Sequence, residues 1–202
     1  MTRIVVFGSG GRAGGSAVAE ARGRGHDVTA LVRSAGDVTD PGAVQAGARG
    51  HDVAIAAVYD GSRDPAEFFP AAATGLIEGL ARAGVRRLVW VGLASLLPDA
   101  DGVPLMDTAG YPQDYRSFFL AHRAALDAIR ASGLDWVAVS PSGDFDHGGA
   151  PVGGYQLAPG DADARITYAD HAVAILDEAE RAEARRAHVG VIGQAGRTTP
   201  VS

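Results

Sequence analysis

The chain has no cysteine. Disulfides, thiolate metal sites and a cysteine nucleophile are therefore excluded. Lysine is missing too, and all 18 basic residues are arginine. That excludes Schiff-base chemistry, a P-loop lysine and a lysine-assisted general acid. No apolar run reaches the ~18 residues of a membrane span, and no apolar leader with a cleavage site follows Met1. The expected location is the cytoplasm. No Lys/Arg run offsets the net charge of −6, which repels phosphate backbones. Neither nucleic acid nor membrane is an expected partner.

Glycine, by contrast, is abundant, at 28 of 202 residues. That is about twice the usual frequency, so glycine patterns count only in context. The length is that of one domain, and residues 1–202 are expected to form it.

Short apolar runs alternate with helical segments. Strands are expected at Ile4–Phe7, Val28–Val32, Val53–Val58, Leu88–Gly92, Trp136–Val139 and His188–Ile192. Helices are expected at Ser16–Arg24, Pro41–Ala48, Pro65–Ala83 and Tyr115–Ser132, with a last one to about Ala182. Thr167-Tyr168-Ala169-Asp170 reads as the capping box that opens this last helix. The tail Thr198–Ser202 is expected to fray. The tetrapeptide Gly-His-Asp-Val occurs at 25–28 and 50–53, each time as a glycine helix stop before a strand. This alternation predicts an α/β, Rossmann-type, doubly wound parallel sheet. Two polar segments, 95–113 and 142–164, follow strands and are expected to be loops walling a substrate site at the carboxyl edge.

Gly8-Ser9-Gly10-Gly11-Arg12-Ala13-Gly14 follows the first strand and opens a helix. In that context Gly8 permits a tight turn, Gly11 admits a pyrophosphate, and Gly14 lets the helix pack closely. The reading is a dinucleotide site. An NAD site places a carboxylate at the end of the second strand, where this chain has Arg33 and Ser34. A guanidinium attracts a 2′-phosphate, so NADP(H) is expected over NAD(H), with Arg12 as a second contributor.

The stretches Val5–Gly14, Val28–Arg33, Gly36–Asp40, Gly84–Val89, Ser132–Trp136 and Arg165–Asp170 resemble the atypical short-chain dehydrogenases. The nearest group is the NmrA-like NAD(P)H-binding proteins, which include biliverdin-IXβ/flavin reductase. The resemblance implies that Asp37 and Val38 flank the adenine, that Ala56, Ala57 and Val58 run along the ribose, and that Pro141, Ser142 and Gly143 pass near the nicotinamide. It places Ser95 at the family's active-site serine, and His122-Arg123 where flavin-reductase-like members carry a histidine and a basic residue.

Two departures stand out. The family's Tyr-x-x-x-Lys pair is absent: Tyr111 is followed by Tyr115, and Tyr115 by Phe119. Arg33 and Asp37 are only four residues apart, a gap that about 13 Å of extended chain closes. One helix and the family's third strand are therefore expected to be deleted. The order would be 2-1-4-5-6 in family numbering, with the second strand at an exposed edge that offers a homodimer seam.

Ser95 is the candidate to polarise a substrate carbonyl, and His122, Tyr111 and Tyr115 are the candidate proton donors. Asp144-x-Asp146-His147 is the densest polar cluster, but spacing alone does not assemble three ligands, and no metal is expected. The favoured function is an NADP(H)-dependent oxidoreductase acting on a small molecule. The acceptor would be a carbonyl, conjugated alkene or quinone/flavin-like compound needing little acid assistance. The alternatives are an isomerase, cyclase or dehydratase on the same fold, or an NADP(H) sensor without turnover.

Overall fold

Ile4, Val5 and Val6 are fully buried because their strand, β1 (Arg3–Phe7), is covered on both faces and both edges. The computed structural model describes residues 1–181 and 185–194. After β1 come α1 (Arg12–Gly23), β2 (Asp27–Leu31), α2 (Pro41–Ala48), β3 (Val53–Ala56) and α3 (Pro65–Ala83). Next are β4 (Arg87–Val91), α4 (Arg116–Ala131), β5 (Asp135–Pro141), β6 (Asp144–Asp146) and β7 (Tyr155–Leu157). β8 (Arg165–Thr167), α5 (Tyr168–Arg181) and β9 (Ala187–Gly193) complete the described chain. The expected helix end at Ala182 and the tail Thr198–Ser202 lie outside the described residues.

The main sheet has the order β2-β1-β3-β4-β5-β9-β7. Every pair in it is parallel except β7 on β9. Alternate side chains supply two cores. Val5, Phe7, Leu88 and Trp90 pack under α2, α3 and α4, while Ile4, Val6, Val89 and Val137 pack under α1 and α5. This is the doubly wound architecture that the alternation of elements predicts.

Local chemistry starts the helices. Asp40 accepts from Gly42 N at 2.8 Å ahead of Pro41, and Asp64 accepts from Ala66 N at 2.9 Å ahead of Pro65. The capping box forms as read: Thr167 Oγ1 accepts from Asp170 N at 3.1 Å and donates to Asp170 Oδ2 at 2.7 Å. Asp170 also accepts from the backbones of Val152, Gly153 and Gly154, which ties that loop to α5. Both Gly-His-Asp-Val repeats are helix stops, with φ of +79° at Gly25 and +80° at Gly50.

The expected deletion is present. A single 3-10 turn, Arg33–Ala35, joins β2 to Asp37, and among the described residues β2 pairs with β1 alone. Segment 142–164 departs from expectation, because it is not all loop. β6 pairs with β8, and β7 adds a seventh strand to the sheet. Three-residue strands show no period-2 pattern, and neighbours rather than local sequence hold them in place. α1 begins at Arg12, four residues before the expected Ser16, so Gly14 and Gly15 are helical. Among the described residues, no helix is long and apolar enough to cross a membrane.

Candidate active site

β1 delivers the glycine turn to the carboxyl edge of the sheet. Leu31 O accepts from both Gly8 N and Ser9 N, at 3.0 and 3.1 Å, which pins the turn to the end of β2. Gly8 has φ +81°, and a Cβ there would lie 2.1 Å from Ala57 O. A Cβ on Gly14 would lie 2.2 Å from Gly8 O. Both positions therefore require glycine, for the turn and for the close helix. Added Cβ atoms on Gly10 and Gly11 would meet nothing nearer than 3.4 and 3.6 Å. Those two leave the outer side of the turn open.

α1 differs from α2 and α3 in having no side-chain cap, and its first turn carries no acidic residue. The N–H groups at Arg12 and Ala13 thus begin a helix whose positive end is not neutralised by an acid. An open cleft adjoins the turn at Gly8, walled by Phe7, Leu31, Val38, Val58 and Phe68 and rimmed by Arg33, Asp37, Tyr59 and Asp60. The donor set at α1 and an apolar slot with a charged rim suit a dinucleotide: phosphates at the turn, a flat base in the slot.

Two ion pairs close the rim. Arg33 Nη1 donates to Asp60 Oδ1, and Arg63 Nη1 donates to Asp37 Oδ2 at 3.0 Å. Asp37 sits below the usual carboxylate range although partial burial opposes this; hydrogen bonds from Thr39 and Arg63, with the Arg63 charge, pull it down. Asp60 and Tyr59 were not identified from sequence. Asp60 precedes Gly61-Ser62 and reads there as an ordinary turn residue; nothing in the spacing ties it to an arginine 27 positions earlier.

Several residues expected to contact the cofactor do not line this slot. Ala56 packs in the core beneath the cleft. Ser34 is exposed in the 3-10 turn and does not line the slot. Arg12 does not join Arg33. Its Nη1 lies 2.8 Å from His147 Nδ1 and its guanidinium faces Tyr168, both from the β5–α5 side. Gly143 lacks a side chain to admit the 161–164 loop, since a Cβ would lie 2.3 Å from Asp161 O. Pro141 and Ser142 are buried, and Ser142 Oγ donates to Ala158 O at 3.3 Å.

The other end of the edge is drier. Ser95 follows β4 and is buried, its Oγ without a partner among the described residues. His122 lies on the inner face of α4, its ring centroid 4.0 Å from Phe69 and 5.3 Å from Phe118. Its Nδ1 also lacks a partner. Burial drives its pKa down to about 3, helped by His188. Near neutral pH the ring is thus held neutral, which argues against the expected proton-donor role for His122. Tyr111 packs edge-on against Phe119, and burial, then Asp144, raises its pKa. Tyr115 is 66% exposed at the start of α4. Tyr59, 62% exposed, stacks on Phe69 at 6.3 Å and meets Phe118 edge-on at 5.8 Å. It links the cleft rim to α4.

A profile of the NAD(P)H-binding family matches residues 34–181. Three solved structures share the fold over nearly the whole chain. A provisionally named exported protein from Burkholderia pseudomallei is 31% identical, with a TM-score of 0.81, over 95% of this chain and 100% of that one. A provisionally named NADH-flavin reductase from Streptococcus pneumoniae is 27% identical, with a TM-score of 0.83, over 96% and 100%. A provisionally named epimerase from Bacteroides thetaiotaomicron is 26% identical, with a TM-score of 0.82, over 96% and 99%. With its uncapped α1 beside an apolar slot and a match across most of its length, this chain belongs to the NAD(P)H-binding family, among the NmrA-like atypical short-chain dehydrogenases.

Proposed function

We propose that the protein is an NADP(H)-dependent reductase that passes hydride to a flat, conjugated acceptor such as a quinone or flavin. The observation that carries the reading is Arg33 at the mouth of the apolar slot, where the adenosine end of a dinucleotide extended from the glycine turn would lie. Gly11, Arg12 and Ala13 would hold the pyrophosphate through the α1 N-terminus. Phe7, Val38 and Val58 would enclose the adenine, and Arg33 would pair with the 2′-phosphate. Bound there, a dihydronicotinamide supplies the hydride.

The acceptor class follows from what the other end lacks. His122 is held neutral, and no lysine exists to assist a tyrosine. A ketone reduced to an alcohol requires a proton at oxygen, and no charged donor stands ready. A quinone or flavin delocalises the incoming charge and takes its proton from water. Tyr59 and Tyr115 offer exposed rings for a planar acceptor, each such contact worth about 1 kcal/mol. Ser95 Oγ, with no partner among the described residues, would donate to an acceptor oxygen.

The test is oxidation of NADPH followed at 340 nm with a quinone and flavin panel. The reading expects turnover, faster with NADPH than NADH at limiting cofactor. Bound NADPH that no acceptor oxidises would contradict it.

A further inference from the structure

The cleft rim carries one feature that the 2′-phosphate reading does not use. Asp60 is buried, at 6% exposed, yet is bonded to Arg33, whose side chain is 68% exposed. Its Oδ1 accepts from Arg33 Nη1, from Ser62 N at 3.0 Å and from Ser62 Oγ at 2.6 Å. The turn 60–62 therefore fixes the carboxylate, while the arginine that meets it sits on an exposed stem. Both residues line the same slot. The carboxylate that NAD sites carry at the end of the second strand is absent here, and Asp60 brings one to the same rim from the loop after β3.

We infer that Asp60 is the residue that sets nucleotide preference, by competing with a 2′-phosphate for Arg33. This rests on the proposed reading, in which the adenosine ribose lies beside Arg33. Without cofactor, Asp60 holds the guanidinium. A 2′-phosphate, with more charge and three acceptor oxygens, takes the guanidinium over, but must do so beside a fixed carboxylate that repels it. A 2′-hydroxyl instead donates to Asp60 while Arg33 stays paired. The pair thus offers an acceptor to NADH and a donor to NADPH. The cleft takes both, and the carboxylate keeps the NADPH preference small.

Dissociation constants for NADPH and NADH, measured by calorimetry on the full chain, test this. Asp60→Asn keeps the size and one acceptor for Ser62. It is expected to raise the NADPH-over-NADH affinity ratio by about tenfold, tightening NADPH and weakening NADH. Asp60→Glu keeps the charge and is expected to stay near the wild-type ratio. Ser62→Ala loosens the turn without changing charge and is expected to move both constants together. If Asp60→Asn also moves both constants by one common factor, or Ser62→Ala reproduces its change of ratio, Asp60 only orders the loop and the inference falls. Arg33→Ala separates the two claims. It should abolish the NADPH preference; if the ratio is unchanged, the 2′-phosphate reading itself falls, and this inference with it.

Discussion

The two ends of the carboxyl edge are built on opposite principles. At the β1–β2–β3 end, the slot is open, its rim is charged, and two arginine–aspartate pairs edge it, each with an arginine that reaches solvent. At the β4–β5 end, Ser95 Oγ and His122 Nδ1 are buried without partners among the described residues, the histidine amid aromatic rings. The first end has the charges that recognition of a phosphorylated nucleotide needs. The second is poor in charge, and an unpaired buried hydroxyl there is free to be used by something that enters. The contrast separates binding, which this chain equips heavily, from proton transfer, which it scarcely equips.

The largest expected effect tests whether the first end is a built cradle. Gly14→Val would push a side chain into the Gly8 carbonyl, where even a Cβ lies 2.2 Å away. Cofactor affinity should fall by at least about 100-fold, with a destabilisation of roughly 3 kcal/mol, read by calorimetry and thermal melting. Next is Arg33→Glu, which should weaken NADPH by about tenfold or more while sparing NADH. Equal loss of both would remove the charge argument.

The dry end is sharpened by smaller effects. Ser95→Ala removes a buried hydroxyl with no partner, so stability should hold or rise by up to about 1 kcal/mol. Turnover with a quinone should nonetheless drop severalfold. Loss of stability with unchanged turnover would make Ser95 purely structural. His122, His171 and His188 have folded pKa values of about 3, 4 and 4, each lowered first by burial from 6.5. The unfolded chain therefore gains protons first as the pH falls. Stability should be full above about pH 6.5 and decline from there towards pH 4. His122→Leu should flatten that acid limb in denaturant titrations and leave turnover at pH 7 within roughly threefold, since a neutral ring donates no charge there. A large loss of turnover at constant fold would restore His122 to the chemistry.

The first end was the more legible in sequence, for a physical reason. A glycine turn, an N-terminal strand and a four-residue gap between Arg33 and Asp37 are local features, and chain length alone required the deleted strand. Non-local pairing was not legible. Asp60 meets Arg33 only because β1, β2 and β3 are neighbours, and the three-residue strands β6, β7 and β8 exist only through their partners. His122 was legible in principle. Its spacing with Ala125, Leu126 and Ile129 places it on the inner face of α4, a pattern that argues for burial over a proton-donor role.

The central claim is that the trimmed adenine end still binds a nicotinamide dinucleotide. Calorimetric titration of the intact chain with NADPH tests it most directly. The account predicts one site per chain with a dissociation constant on the order of micromolar. No heat, and no rise in melting temperature at millimolar NADPH, would contradict it.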